Sequence, residues 1–229
     1  MKLSVLSGGA AQGLVGALAP KLEAETGCEV DGTFSAVGAM RDRLISGAPA
    51  DLVILTRALV TSLMPDHVVT GSAIDLGTVL TGIAVRAGDP APDVGDPATL
   101  RAALAAADAV YFPDPELATA GIHFAKVIDG LGLTAELASR LRVFPNGSTA
   151  MRELAAASGH PIGCTQVTEI LATPGVRLIA PLPKALELAT VYTVGLCTKA
   201  ADPALARRFA AMLTESGSRD LRRSLGFQC

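Results

Sequence analysis

Leu3-Ser4-Val5-Leu6-Ser7-Gly8-Gly9-Ala10-Ala11-Gln12-Gly13-Leu14 is the stretch from which the fold is read. It opens as a short apolar strand and turns through a tight loop of small residues. It continues as a helix carrying Leu14, Leu18 and Leu22 at helical spacing. Small side chains leave the backbone N–H groups of the loop uncovered, and a helix that begins there adds a partial positive charge. Together they form a cradle for a negative group. Ser7-Gly8-Gly9 does not have the GxGxxG spacing, and no Gly-Lys-Ser/Thr follows, so neither nucleotide motif is present. A single loop of this kind is an ordinary strand-to-helix turn; its recurrence along the chain gives it weight.

The first helix runs to Glu23-Ala24-Glu25-Thr26, with Gly27 as its C-cap. A strand over Glu29 to Phe34 leads into a second small-residue loop, Ser35-Ala36-Val37-Gly38. A helix is expected from Ala39, with Met40, Leu44 and Ile45 on one face, stopping at Gly47. Asp51-Leu52-Val53-Ile54-Leu55 reads as a strand buried on both faces, and Ala58 to Met64 as a short helix. Three strand–loop–helix units in succession are the grammar of an α/β fold with right-handed crossovers.

Thr78 to Val85 is a long apolar strand, and Gly88-Asp89-Pro90-Ala91-Pro92 then breaks the pattern. A second set of units follows. Helices are expected over Pro97–Ala107, Ala120–Gly130, Glu136–Leu141, Thr149–Ala157 and Gln166–Ala172, with strands near Ala109–Phe112, Arg142–Phe144, Ile162–Thr165 and Val176–Ala180. Tyr192 to Thr198 is a returning strand, and Pro203–Leu213 and Arg219–Leu225 are closing helices. The expectation is a two-lobed α/β protein in which each lobe is a mostly parallel sheet flanked by helices. Residues 1–80 with 190–229 form the first lobe and 81–189 the second, joined by two crossover strands. Ligands in such sheets lie beyond the carboxyl ends of the strands, where the small-residue loops fall, so an interlobe cleft that closes by hinge motion is expected.

Composition narrows the function. Aromatic residues make up 3% of the 229 residues and Trp is absent, which argues against stacking platforms for sugars or single-stranded nucleic acid. A net charge of −3 also speaks against a nucleic-acid partner. No run of about 18 apolar residues lacks Gly, Pro or charge, so no membrane insertion is expected. Cys28, Cys164, Cys197 and Cys229 form no CxxC pair, and neither a metal site nor a cofactor is signalled. The N-terminal apolar stretch is interrupted by glycines and preceded by one lysine, so it reads as mature structure and favours a cytoplasmic location. A processed form would instead be periplasmic.

At this level of detail the chain resembles the periplasmic molybdate-binding proteins, the substrate-binding components of molybdate ABC transporters. The resemblance rests on the N-terminal unit ending at Glu25-Thr26-Gly27, on Gly38-Ala39-Met40 running into Ser46-Gly47-Ala48-Pro49-Ala50-Asp51, and on Pro113-Asp114-Pro115 with Ala120-Gly121. Ser158-Gly159 to Gly163 and the closing Leu225-Gly226-Phe227 complete it. It implies the type II periplasmic-binding fold, a small anionic ligand and, if the protein is exported, an ABC transporter permease as partner. It places ligand contacts at Ala10, Val37, Ala120 and Gln166; with the small-residue loops, the candidate ligand-binding set is Ser7, Gly8, Gly9, Ala10, Ser35, Ala36, Val37, Arg57, Thr119, Ala120 and Gln166. The family's two serine hydroxyls fall here on Ala10 and Val37, and its tyrosine on Gln166. Each hydrogen bond to a charged group contributes on the order of 1.5–3 kcal/mol, so losing two weakens a tetrahedral-oxyanion site by orders of magnitude.

Ser7, Thr33, Ser35 and Gln166 remain as polar groups, with Arg57 and Arg41 as possible cations. That set suits a small organic carboxylate better than molybdate or tungstate. Arg57 reads equally as a surface residue, and Arg41 and Arg43 as a solvated helix face. Some proteins that look like this family are enzymes, aconitate isomerase among them, so an isomerase of unsaturated carboxylic acids is the alternative. Its candidate is His123 in the first turn of a helix; an exposed helical histidine is the plainer reading. His67 and His160 sit in turns, and Asp114 reads as a turn former. No GxSxG or HExxH is present.

Overall fold

A computed structural model describes residues 2–229. The chain divides into two compact units, Met1–Val79 with Thr190–Cys229, and Leu80–Ala189. In the first, β1 (Lys2–Gly8) passes through a single 3-10 turn, Gly9–Ala11, into α1 (Gln12–Thr26). Gly27 closes α1 in the left-handed region, φ 69°, and donates its N–H to the Glu23 carbonyl at 2.7 Å, a geometry for which glycine carries no steric cost. β2 (Glu29–Ser35), α2 (Val37–Ile45), β3 (Leu52–Thr56), α3 (Arg57–Ser62) and β4 (Ile74–Arg86) follow.

The second unit takes up the end of β4. It then contains α4 (Pro97–Ala106), β5 (Val110–Pro113), α5 (Thr119–Gly130), α6 (Thr134–Leu137) and β6 (Leu141–Phe144). It continues with α7 (Gly147–Ala156), β7 (Ile162–Gln166), α8 (Val167–Leu171) and β8 (Val176–Pro181). β9 (Ala189–Leu196) returns the chain to the first unit, which ends with α9 (Pro203–Thr214) and α10 (Arg219–Ser224). The chain therefore passes between units once within β4 and once where β9 begins.

In the first unit β1 is central to β2 and β3, parallel to both, and β9 runs antiparallel to β3. In the second, β5 is parallel to β6 and β7, while β4 is antiparallel to β7 and β8. The first sheet is thus mostly parallel with one antiparallel strand, and the second is evenly mixed, because the segments that enter or leave each unit run against its βαβ strands. Each parallel strand delivers its carboxyl end to a loop on the same edge: β1, β2 and β3 in the first unit, β5, β6 and β7 in the second. The break at Gly88–Pro92 lies inside the second unit, and α2 starts at Val37 rather than Ala39, since Ala36 already has the extended conformation of a residue preceding a helix. The helix expected over Glu136–Leu141 lies instead at Thr134–Leu137, because Leu141 is already in β6.

Burial explains these elements. Leu52, Val53, Ile54 and Leu55 are all buried in β3, as a strand covered on both faces requires. Asp51 shows why the Gly-Ala-Pro-Ala-Asp block matters. It is 4% exposed, and its carboxylate accepts from Ser4 N–H and Ala201 N–H, each at 2.7 Å, so a buried charge is paired at both oxygens and ties β1 to the start of α9. In the second unit Ile83, Leu100, Leu104, Val110, Phe112, Phe124, Ile128 and Ile162 form one core, with Phe112 and Phe124 edge-to-face at 5.7 Å.

Candidate functional site

A helix leaves its first N–H groups without intrahelical partners, and a side chain normally caps them. α4, α7 and α9 follow this rule. Asp96 accepts from Ala98 N–H and Thr99 N–H and completes a capping box with Thr99, Asn146 accepts from Thr149 N–H at 2.9 Å, and Asp202 accepts from Ala204 N–H and Leu205 N–H. The Thr99 N–H bond holds the Asp96 carboxyl below its ordinary value. The other helices of at least eight residues, α1, α2 and α5, are preceded by Ala11, Ala36 and Ala118, and no side chain caps them. An alanine in place of a capping residue costs about 1 kcal/mol per helix. These three helices follow the carboxyl ends of β1, β2 and β5; Ala10 lies in the 3-10 turn before α1, Ala36 precedes α2, Val37 opens α2, and Thr119 and Ala120 open α5.

In the first unit the loops are closed by apolar groups. Ala10, Ala36 and Val37 are buried, and Gly9 and Ser35 half-buried. A Cβ on Gly8 would lie 2.6 Å from Val37 Cγ1 and 3.2 Å from Tyr192 Cε1, so the backbone there approaches both side chains too closely for anything but glycine. Ser7 is fully buried and its hydroxyl donates to the Gly8 carbonyl at 2.8 Å, which turns it away from any other acceptor. Arg57 is exposed and forms a two-point pair with Asp75, which also accepts from Thr193 Oγ1 at 2.6 Å. The Arg57 hydrogen bond holds the Asp75 carboxyl below its ordinary value, and Asp75 raises the guanidinium in return. Arg41 pairs with the adjacent Asp42. Both candidate cations are thus engaged by carboxylates.

In the second unit Ala120 is buried behind the half-buried Thr119. Gly121 packs directly on the Pro113 and Asp114 carbonyls, leaving no room for a Cβ. Asp114 is a turn former: its carboxylate accepts from Glu116 N–H at 2.7 Å and Leu117 N–H at 2.9 Å. His123 is half-buried, with Nε2 2.7 Å from the Leu186 carbonyl; a carbonyl only accepts, so Nε2–H is the donor in this contact. His67 and His160 belong to turn segments.

Gln166 ends β7, directly across the antiparallel pair from Thr81. It is 2% exposed, and neither its Oε1 nor its Nε2 has a hydrogen-bond partner; the same holds for the hydroxyls of buried Thr81 and Thr168. Buried side-chain amides are almost always paired, so an unpaired Gln166 amide with an unpaired hydroxyl at its register partner Thr81 is unusual.

One buried carboxyl escaped the sequence reading. Glu169 is 6% exposed, and its carboxylate accepts from Thr165 Oγ1 at 2.6 Å and from the N–H groups of Gln166 and Ser148. It therefore occupies the N-terminus of α7, where an anion would sit, and Gly147 has no Cβ because one would strike Glu169 and Thr165. Burial pushes the Glu169 carboxyl above its ordinary value, against the pull of Thr165 and the two N–H donors. The available signals were the four-residue spacing of Thr165 and Glu169 and the Asn146-Gly147 pair at a helix start.

A separate cavity of about 230 Å³ in the second unit, walled by Pro90, Ala91, Pro92, Ala107 and Ile162, holds none of these N-termini and is apolar in character. The four cysteines are free thiols, three of them buried, and burial pushes Cys197 up to about 12. Among the described residues no group of three or more His, Cys, Asp or Glu could hold a metal ion, and no helix is long and apolar enough to cross a membrane.

Residues 3–228 match the family described as bacterial extracellular solute-binding protein. A curated relative, aconitate isomerase from Pseudomonas sp, is 26% identical over 232 residues, covering 97% of this chain and 85% of that protein. Among solved structures, the periplasmic molybdate-binding protein of Azotobacter vinelandii superposes with a TM-score of 0.79 at 17% identity over 99% of each chain. The sulfate-binding protein of Mycobacterium tuberculosis H37Rv gives 0.76 at 18% identity over 99% of this chain and 86% of that one. The fold is therefore the type II periplasmic-binding fold.

Proposed function

This chain belongs to the bacterial extracellular solute-binding proteins, and we propose that its solute is a small organic carboxylate held by backbone N–H groups. The observation that carries this reading is that α1, α2 and α5 begin without a capping side chain, whereas α4, α7 and α9 are capped. Three uncapped N-termini at the carboxyl ends of strands offer donors and partial positive charge to an anion. In the first unit the neighbouring side chains argue against a tetrahedral oxyanion, because Ala10 and Val37 supply no hydroxyl. Export and delivery to a membrane permease follow from the family as part of the same proposal.

Calorimetric titration with succinate, citrate, lactate, molybdate and sulfate tests it. At least one organic acid is expected to bind with a dissociation constant in the micromolar range. Ala118→Asp, which sets a carboxylate on the N–H groups of α5, is expected to abolish that binding in a protein that remains folded. Binding of molybdate alone would sink the carboxylate assignment.

The likeness to aconitate isomerase favours a second reading, in which the carboxylate is also a substrate. A 1,3-proton shift needs a base, and Nδ1 of His123 is the candidate. Incubation with cis- and trans-aconitate followed by NMR decides between them: interconversion that His123→Ala removes supports the enzyme, and none leaves the binding protein.

A further inference from the structure

The unpartnered groups of the second unit say something about the ligand beyond its negative charge. Gln166 Oε1 can only accept and Nε2 can only donate, and both are buried and unpaired. Thr81 stands opposite Gln166 in the β4–β7 register, and directly opposed residues share a face of the sheet, so its unpaired hydroxyl lies beside the amide. A carboxylate or a tetrahedral oxyanion brings acceptors only and leaves Oε1 facing another lone pair. A hydroxyl brings one hydrogen to donate and lone pairs to accept with, matching both ends of the amide. The neighbouring α7 N-terminus, which could have served a second anionic group, is already filled by the Glu169 carboxylate through Ser148 N–H. Resting on the carboxylate reading above, we infer that the ligand is a hydroxy acid whose uncharged hydroxyl is read by Gln166 and Thr81.

The test uses matched acids that differ by one hydroxyl: malate and succinate, citrate and tricarballylate, lactate and propionate. Calorimetry on the full chain is expected to show, for at least one pair, the hydroxy acid bound about tenfold or more tighter than its partner. In Gln166→Leu and Thr81→Val that preference is expected to fall to about threefold or less, through weaker binding of the hydroxy acid. Equal affinity within every pair, or a preference that survives both variants, overturns the inference while leaving the carboxylate reading in place. If none of the six acids binds, both fall. Should Gln166→Leu fail to fold by circular dichroism, Gln166→Glu keeps the shape but removes the donor; it is expected to weaken the hydroxy acid by about tenfold or more, and an unchanged affinity overturns the inference.

Discussion

The two units offer the same kind of backbone donor and opposite kinds of side chain. In the first, three polar groups near the loops are engaged: Ser7 by the Gly8 carbonyl, Arg57 by Asp75, and Asp75 again by Thr193. What remains around Gly8 is Val37 and the ring of Tyr192. In the second, Gln166, Thr81 and Thr168 are buried and unengaged, and a buried carboxylate, Glu169, stands at a helix N-terminus. The difference teaches that charge and chemistry are separable in such a fold. On the reading proposed above, uncapped helices in either unit attract an anion, and the unpaired Gln166 and Thr81 of the second unit discriminate between anions.

Four substitutions would break or sharpen that contrast. The largest effect is expected for Gly121→Ala, whose Cβ would meet backbone carbonyls that cannot swing aside; urea denaturation should show a loss of about 3 kcal/mol. Glu169→Ala comes next, because it leaves Thr165 and two N–H groups without their acceptor, at about 2 kcal/mol when measured near pH 4. Its pH dependence has a definite sign. The folded carboxyl lies above its unfolded value, so the stability it contributes is fully present below that value and is lost as pH rises through the folded one. The deficit of the variant should therefore shrink from pH 4 to pH 7, and a deficit that grows would contradict the assigned burial effect. Asp202→Ala removes the cap of α9 in the first unit and should cost about 1 kcal/mol without changing ligand affinity. Gly16→Ala, on an open face of α1, should raise stability by about 0.5 kcal/mol.

Much of this was readable in the chain itself. Asp96-Pro97 and Asp202-Pro203 announce capped helix starts, and Gly27 announces a helix end, because each depends only on local backbone geometry. The small-residue loops at Ser7–Ala10 and Ser35–Val37 were legible for the same reason. Gln166 was visible through a family resemblance that fixed its position, not its environment. Arg57 shows the limit: an arginine on a loop near a strand end looks available until the fold brings Asp75 against it.

The sequence by itself determined the order of strands and helices, the ends of most helices, and the loops with bare backbone donors. These follow from spacing, size and the conformational rules of a few neighbouring residues. Only the tertiary structure decided which of those loops keep a free polar side chain. The Glu169 carboxylate reaches Ser148 because β7 and α7 pack together, and Gln166 stays unpaired although β4 places Thr81 across from it. Hydrogen bonds between side chains far apart in the chain depend on distances of a few tenths of an ångström, and no local pattern encodes those.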